Sequence, residues 1–197
     1  MCKFSEDSKQ KLGNAIIYIA ERSPQLSKTK LLKLLFLMEE YMVKRYHLPF
    51  LALPYEVWQA GPVAKDVFID LSDGGILLKD FIKTEVTENA MYIYAIKPFC
   101  DDEFSECEIE MMNEVIKKHG NKTATQLVEE LHKKGSLWYN VAMENGLLED
   151  FASGVSNNSS FVIDFSKILS GCAREDYLES LAIRQTANIL KAQANVL

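Results

Sequence analysis

From Ser27 to Tyr46 the chain reads S-K-T-K-L-L-K-L-L-F-L-M-E-E-Y-M-V-K-R-Y. Ser27 is a good helix N-cap, and Leu31, Leu32, Leu34, Leu35, Phe36, Leu37, Met38, Tyr41, Met42 and Val43 then cover nearly the whole circumference. A helix apolar all round must be surrounded by other elements. A bilayer does not do the surrounding, because the longest apolar runs, such as Leu34 to Met38, fall far short of the roughly 20 residues a span needs. The rest of the chain is therefore expected to wrap this segment. Its narrow polar strip is Lys33, Glu40 and Lys44, with Glu40 and Lys44 in the favourable i,i+4 order, and water is the expected neighbour of that strip.

The surrounding sequence reads as further helices and a little β structure, an α+β fold, mainly helical, in one domain over residues 1–197. Residues 6–22 place Leu12, Ile16, Ile19 and Ala20 at helical spacing, which predicts a surface helix with one buried stripe. Residues 55–60, 76–86 and 91–97 alternate or are β-branched and aromatic, which predicts one small antiparallel sheet. Gly61-Pro62 reads as a turn, with Pro62 at the first position of a helix that carries Val63, Val67, Phe68 and Leu71 and stops at Gly74-Gly75. Ser105 with Glu108, and Thr123 with Gln126, form capping boxes for the next two helices, Gly120 reads as a left-handed stop, and Ser136 caps a short helix with Leu137 and Trp138. Residues 153–160 read as a loop and Phe161 to Ile163 as a final short strand. A last amphipathic helix from Arg174 to about Gln193 is expected to bury Leu178, Leu181, Ala182 and Ile189.

A chain of 197 residues that is 48% hydrophobic has enough core to fold without staples. Cys2, Cys100, Cys107 and Cys172 lack any close pair and read as reduced thiols, and the polar start has no signal-peptide apolar region, which together point to the cytoplasm and away from the membrane. A net charge of −6 and a pI near 5.2 argue against a broad nucleic-acid footprint. His47, His119 and His132 are far apart, so no metal site is expected. No phosphate-binding glycine loop, G-x-S-x-G elbow or H-E-x-x-H occurs, so neither a cofactor nor a catalytic constellation is expected. The i,i+4 pairs Asp66/Asp70 and Glu106/Glu110 read as solvated faces, although a cleft joining Asp66, Asp70 and His132 would favour a hydrolase.

Three residues stand out as partner-binding candidates. Trp58 shares a strand face with Glu56, opposite the more apolar Tyr55 and Val57, which leaves its ring partly exposed. His132 sits at the border of its helix's apolar face with Trp138 a short turn away, either as a packed pair at the core's edge or as part of a binding surface.

Three strings carry a resemblance: Lys30-Leu31-Leu32-Lys33-Leu34-Leu35-Phe36; Trp58-Gln59-Ala60-Gly61-Pro62-Val63; and Leu127 through His132 to Trp138. In order and spacing they resemble the SocA-like antitoxins of the Panacea-domain family, whose members are sometimes phage-associated. The resemblance spans Leu26 to Trp138, and residues 139–197 are carried only by position. It departs at Phe36 and Phe68, where the family has tyrosine, at His47, where it has glycine, and at Lys65 and Leu137, where a proline is missing. The resemblance implies a non-enzymatic, cytoplasmic member of a toxin-antitoxin system. Such a protein binds a cognate toxin and neutralises it by blocking it or by delivering it to a housekeeping protease. Toxins paired with this domain are diverse, and homo-oligomerisation is left open. The alternatives are a transcriptional regulator or another non-catalytic phage-associated interaction protein, and then a hydrolase. The regulator is disfavoured because the best basic helix, Lys28 to Tyr46, is too apolar to lie in a DNA groove. The resemblance also gives Lys33, Leu34, Leu35, Gly61, Pro62 and Val63 as the structural motif, with Trp58, His132 and Trp138 on recurrent positions.

Overall fold

A computed structural model describes residues 4–194. The chain runs α1 (Glu6–Arg22), α2 (Lys28–Tyr46), β1 (Tyr55–Trp58), β2 (Gly61–Ala64), α3 (Lys65–Ser72), β3 (Ile82–Val86), β4 (Met91–Ala95), α4 (Glu106–His119), α5 (Ala124–Leu131), α6 (Leu137–Glu144), α7 (Leu147–Ser153), a 3-10 turn (Phe165–Ile168) and α8 (Gly171–Ala194). This is the mainly helical α+β fold expected. Cys2 lies outside the described residues, and Cys100, Cys107 and Cys172 are free thiols.

The central helix α2 is buried without interruption from Lys30 to Glu39, and again at Met42 and Val43, with α1, α3, α4, α5 and β2 packed around it. Ser27 caps its start by accepting from Lys30 N, and His47 ends it in the left-handed conformation at φ 56°, a backbone region that favours glycine. Glu40 pairs with Lys44 at 3.0 Å as expected. The polar strip is otherwise not wet. Lys33 is 1% exposed, and neighbouring Glu39, which sequence reasoning passed over, is equally buried. Glu39 Oε1 accepts from Phe50 N (2.9 Å) and its Oε2 from Leu51 N (2.8 Å) and Ala52 N (3.1 Å), so the loop after α2 is hung on a carboxylate in the core. Burial raises its pKa, against the lowering pull of those N–H groups and of Arg184.

Helix α1 is buried continuously from Leu12 to Ile19, not along a single stripe. Gly13 permits this: a Cβ there would lie 2.3 Å from the Phe81 ring. The one expected sheet is two separate hairpins, β1–β2 and β3–β4. Residues 76–81 turn instead of extending because Asp70, itself buried, accepts from Leu77 N (2.7 Å) and Leu78 N (3.2 Å). Asp70 is thus a loop anchor, not half of a solvated pair. Gly120 has right-handed φ −60°, and the glycine answers crowding instead, since a Cβ would meet Ile116 O at 2.7 Å. The capping boxes at Ser105/Glu108 and Thr123/Gln126 both form. Phe161 to Ile163 runs beside β1, with Val57 N donating to Phe161 O (2.9 Å) and Ile163 N to Tyr55 O (2.8 Å).

The last helix, α8, presents a face other than the expected one. Tyr177 is buried and Leu181 half-buried, whereas Leu178 is 44% and Ile189 59% exposed and Ala182 also faces solvent. Polar contacts set this rotation: Arg184 Nη1 donates to Pro49 O (2.9 Å) and to Phe50 O, Ser8 Oγ donates to Asn188 Oδ1 (2.8 Å), and Lys191 pairs with Asp7. Helical periodicity reports an apolar stripe but not which charged side chain finds backbone carbonyls.

Leu35 is fully buried, so Leu35→Ala is expected to cost about 2–5 kcal/mol in denaturant unfolding, while Leu178→Ala stays within about 0.5 kcal/mol. Comparable losses at the two positions would contradict this placement of α2 and α8.

Candidate functional site

Three segments far apart in sequence meet at one corner, where α2, the β1–β2 hairpin and the α5–α6 turn converge. The hairpin closes through Gln59-Ala60, with Trp58 paired to Gly61 and Val57 to Pro62. Gly61-Pro62-Val63 is therefore strand β2, and the helix begins only at Lys65, three residues later than Pro62 was expected to start it. Pro62 fits a two-stranded ribbon because its missing N–H falls on an edge. Its carbonyl turns inward, where Lys33 Nζ donates to it at 2.8 Å. Burial pushes the Lys33 pKa down to about 7.

Gly61 is the point of closest approach. Its φ is +96°, and a Cβ there would lie 3.1 Å from Lys33 Cε and 3.6 Å from His132 Nε2. Both the backbone sign and the space require glycine. His132 lies at the end of α5, stacked on Trp138 of α6 with centroids 3.7 Å apart and planes at 11°. Its Nε2 is buried without a hydrogen-bond partner, and burial, then the adjacent Lys33, pushes its pKa down to about 4, so the ring is neutral at pH 7. Trp138 is 4% exposed and donates Nε1–H to Trp58 O (2.9 Å), which joins α6 to the hairpin.

Trp58 itself is half-buried and faces outward with Glu56, as its strand position predicts. Its Nε1 donates to Glu56 Oε2 (2.9 Å), Glu56 Oε1 pairs with Lys65 (3.2 Å), and the ring meets Phe68 edge-on at 4.8 Å. Lys28 Nζ lies 3.9 Å from the Phe68 centroid. The corner is thus layered: a buried Lys33–Pro62 contact, then the His132/Trp138 stack, then an accessible Trp58/Phe68 surface flanked by charges.

A separate cleft of about 1340 Å³ lies between α8, α1, the 48–54 loop and residues 102–105. Asp66 lines it, but Asp70 and His132 do not, so the arrangement that would favour a hydrolase is not formed. Among the described residues no group of three or more His, Cys, Asp or Glu is placed to hold a metal ion, and no helix is long and apolar enough to cross a membrane.

A family model described as "Antitoxin SocA-like, Panacea domain" matches residues 31–139, more than half of the chain and all three converging segments. No curated protein and no solved structure matches the chain.

Gly61→Ala meets both strain and crowding and is expected to cost about 1–3 kcal/mol, more than Pro62→Ala, which keeps the carbonyl that Lys33 uses. Equal losses would remove the close approach as the reason for the glycine. Lys33 adds a pH signature. A base whose folded pKa is lowered to about 7 from the ordinary 10.5 holds fewer protons in the folded state, so its contribution to stability rises with pH across that interval. Urea unfolding at pH 7 and pH 9.5 should show wild type gaining stability relative to Lys33→Met; parallel behaviour would place Lys33 in water.

Proposed function

The chain belongs to the SocA-like, Panacea-domain antitoxin family, and from that premise we propose that it binds a cognate toxin protein and neutralises it, with Trp58 as the contact anchor. The observation that carries the reading is the layered corner. Its inner parts are committed to structure: Lys33 donates to the Pro62 carbonyl, the His132 and Trp138 rings stack, and Trp138 donates to Trp58 O, while Trp58 and Phe68 keep an accessible aromatic surface. A half-buried tryptophan held by Glu56 loses little freedom on binding and can supply 2 kcal/mol or more at an interface centre. His132 and Trp138 act through Trp58, by fixing the backbone that carries it. No catalytic step is assigned to any side chain, and the chemistry is recognition of another protein's surface.

The test is co-expression with the product of the neighbouring reading frame. Wild type should restore growth and bind that product. Trp58→Ala should remain folded yet bind at least about tenfold more weakly, whereas Trp138→Ala should lose about 3–5 kcal/mol of stability. A folded Trp58→Ala that binds and rescues like wild type would falsify the anchor, and a wild type that binds no such product overturns the antitoxin reading. Toxin abundance separates the two mechanisms: blocking lets bound toxin accumulate, while delivery to a housekeeping protease depletes it.

A further inference from the structure

We propose that the cleft under α8 seats a cationic, amphipathic helical segment of the partner protein. This deepens the antitoxin reading and rests on it for the partner's identity alone. The cleft's volume of about 1340 Å³ exceeds the roughly 300–1,000 Å³ of small-molecule pockets and suits the side chains of a peptide segment. Its lining includes the apolar side chains of Phe50, Phe104, Phe165 and Leu181. On the α8 side, Ile183 (63% exposed) and Ile189 extend that apolar surface outward to solvent. Such a groove takes a helix through apolar residues at i, i+3 and i+4 spacing.

Charge decides the other face of that helix. Seven carboxylates line the cleft against three cations; Glu108 and Asp7 are paired with those cations, Lys11 (2.6 Å), Arg184 (3.8 Å) and Lys191, and Glu39 is buried on backbone N–H groups, so Asp102, Glu103 and Asp164 leave a negative balance. Asp102 and Glu103 then set a negative mouth. A second copy of this chain brings the same net charge of −6 and the same acidic mouth, so like charges oppose self-docking, while a Lys/Arg-bearing helix is drawn in. One β-bridge links the cleft wall to the hairpin that carries Trp58. Val162 lines the cleft and bridges to Glu56, the residue that holds the Trp58 indole.

The test uses the full chain and a labelled 18-residue peptide of Leu and Lys in helical pattern, with a Leu/Glu peptide of the same pattern as its counterpart, read by fluorescence anisotropy. The Leu/Lys peptide should bind and the Leu/Glu peptide should not. Ile183→Asp combined with Ile189→Asp, both exposed and so neutral to folding, should weaken binding at least tenfold. Asp102→Asn with Glu103→Gln should weaken it three- to tenfold at 0.1 M salt. Glu85→Gln with Glu88→Gln, an equal charge change on the β3–β4 hairpin, should alter it less than twofold. The proposal is overturned if the Leu/Lys peptide does not bind, if all variants bind alike, if the hairpin pair weakens binding as much as the mouth pair, or if the protein is a dimer whose dissociation is required for binding. In the growth assay, cleft variants that lose the peptide but rescue fully also overturn it, leaving the antitoxin reading intact. Failure of wild type to rescue overturns the antitoxin reading instead, and the peptide result alone then decides the cleft.

Discussion

The middle of α2 has no solvent face on which to place a charge, yet Lys33 and Glu39 extend from it into the core, and the architecture is organised around where they end. Lys33 reaches one way, to the Pro62 carbonyl of the β1–β2 hairpin. Glu39 reaches another, to three successive N–H groups of the loop at 50–52. Each replaces water with backbone, the only partner dense enough in polar atoms to make such burial tolerable. The hairpin that carries Trp58 and the loop that walls the cleft are thus both attached to one helix, six residues apart.

How much of this was legible in the sequence follows from which forces are local. The all-round apolarity of residues 31–43 places α2 in the centre, and the caps at Ser27, Ser105, Thr123 and Ser136 fix where four helices begin, because a cap is a contact across three residues. The errors at the centre of the fold are long-range. Periodicity points Lys33 to water because a partner 29 residues away leaves no trace in it, and it places Pro62 in a helix because the role of its carbonyl is visible only once α2 lies beneath it. Glu39 had one readable signal: it falls three and four residues from Leu35 and Phe36 and from Met42 and Val43, inside the apolar arc where a carboxylate must find donors.

The same contrast holds at the site. Strand alternation alone puts Trp58 on the outward face, and the stacking of His132 on Trp138 fits their proximity in sequence. That these two also lie against Gly61 and Lys33 depends on α5 packing on α2 and β2, a fact of tertiary structure. The rotation of α8 was beyond reach for a similar reason. Its inward face is chosen by Arg184, Asn188 and Lys191, whose partners come from the 49–50 loop and from α1.

Phe50 sits where these influences meet. Its N–H points inward to the Glu39 carboxylate and its carbonyl outward to the Arg184 guanidinium, so a negative charge faces the positive end of the local peptide dipoles and a positive charge faces the negative end. The two groups also act on each other through space across this peptide. Arg184 lowers the proton affinity of a carboxyl group it does not touch, and by reciprocity the ionisation of Glu39 strengthens the hold on Arg184. The seating of the outermost helix therefore carries, in its electrostatics, information about the charge state of the innermost one.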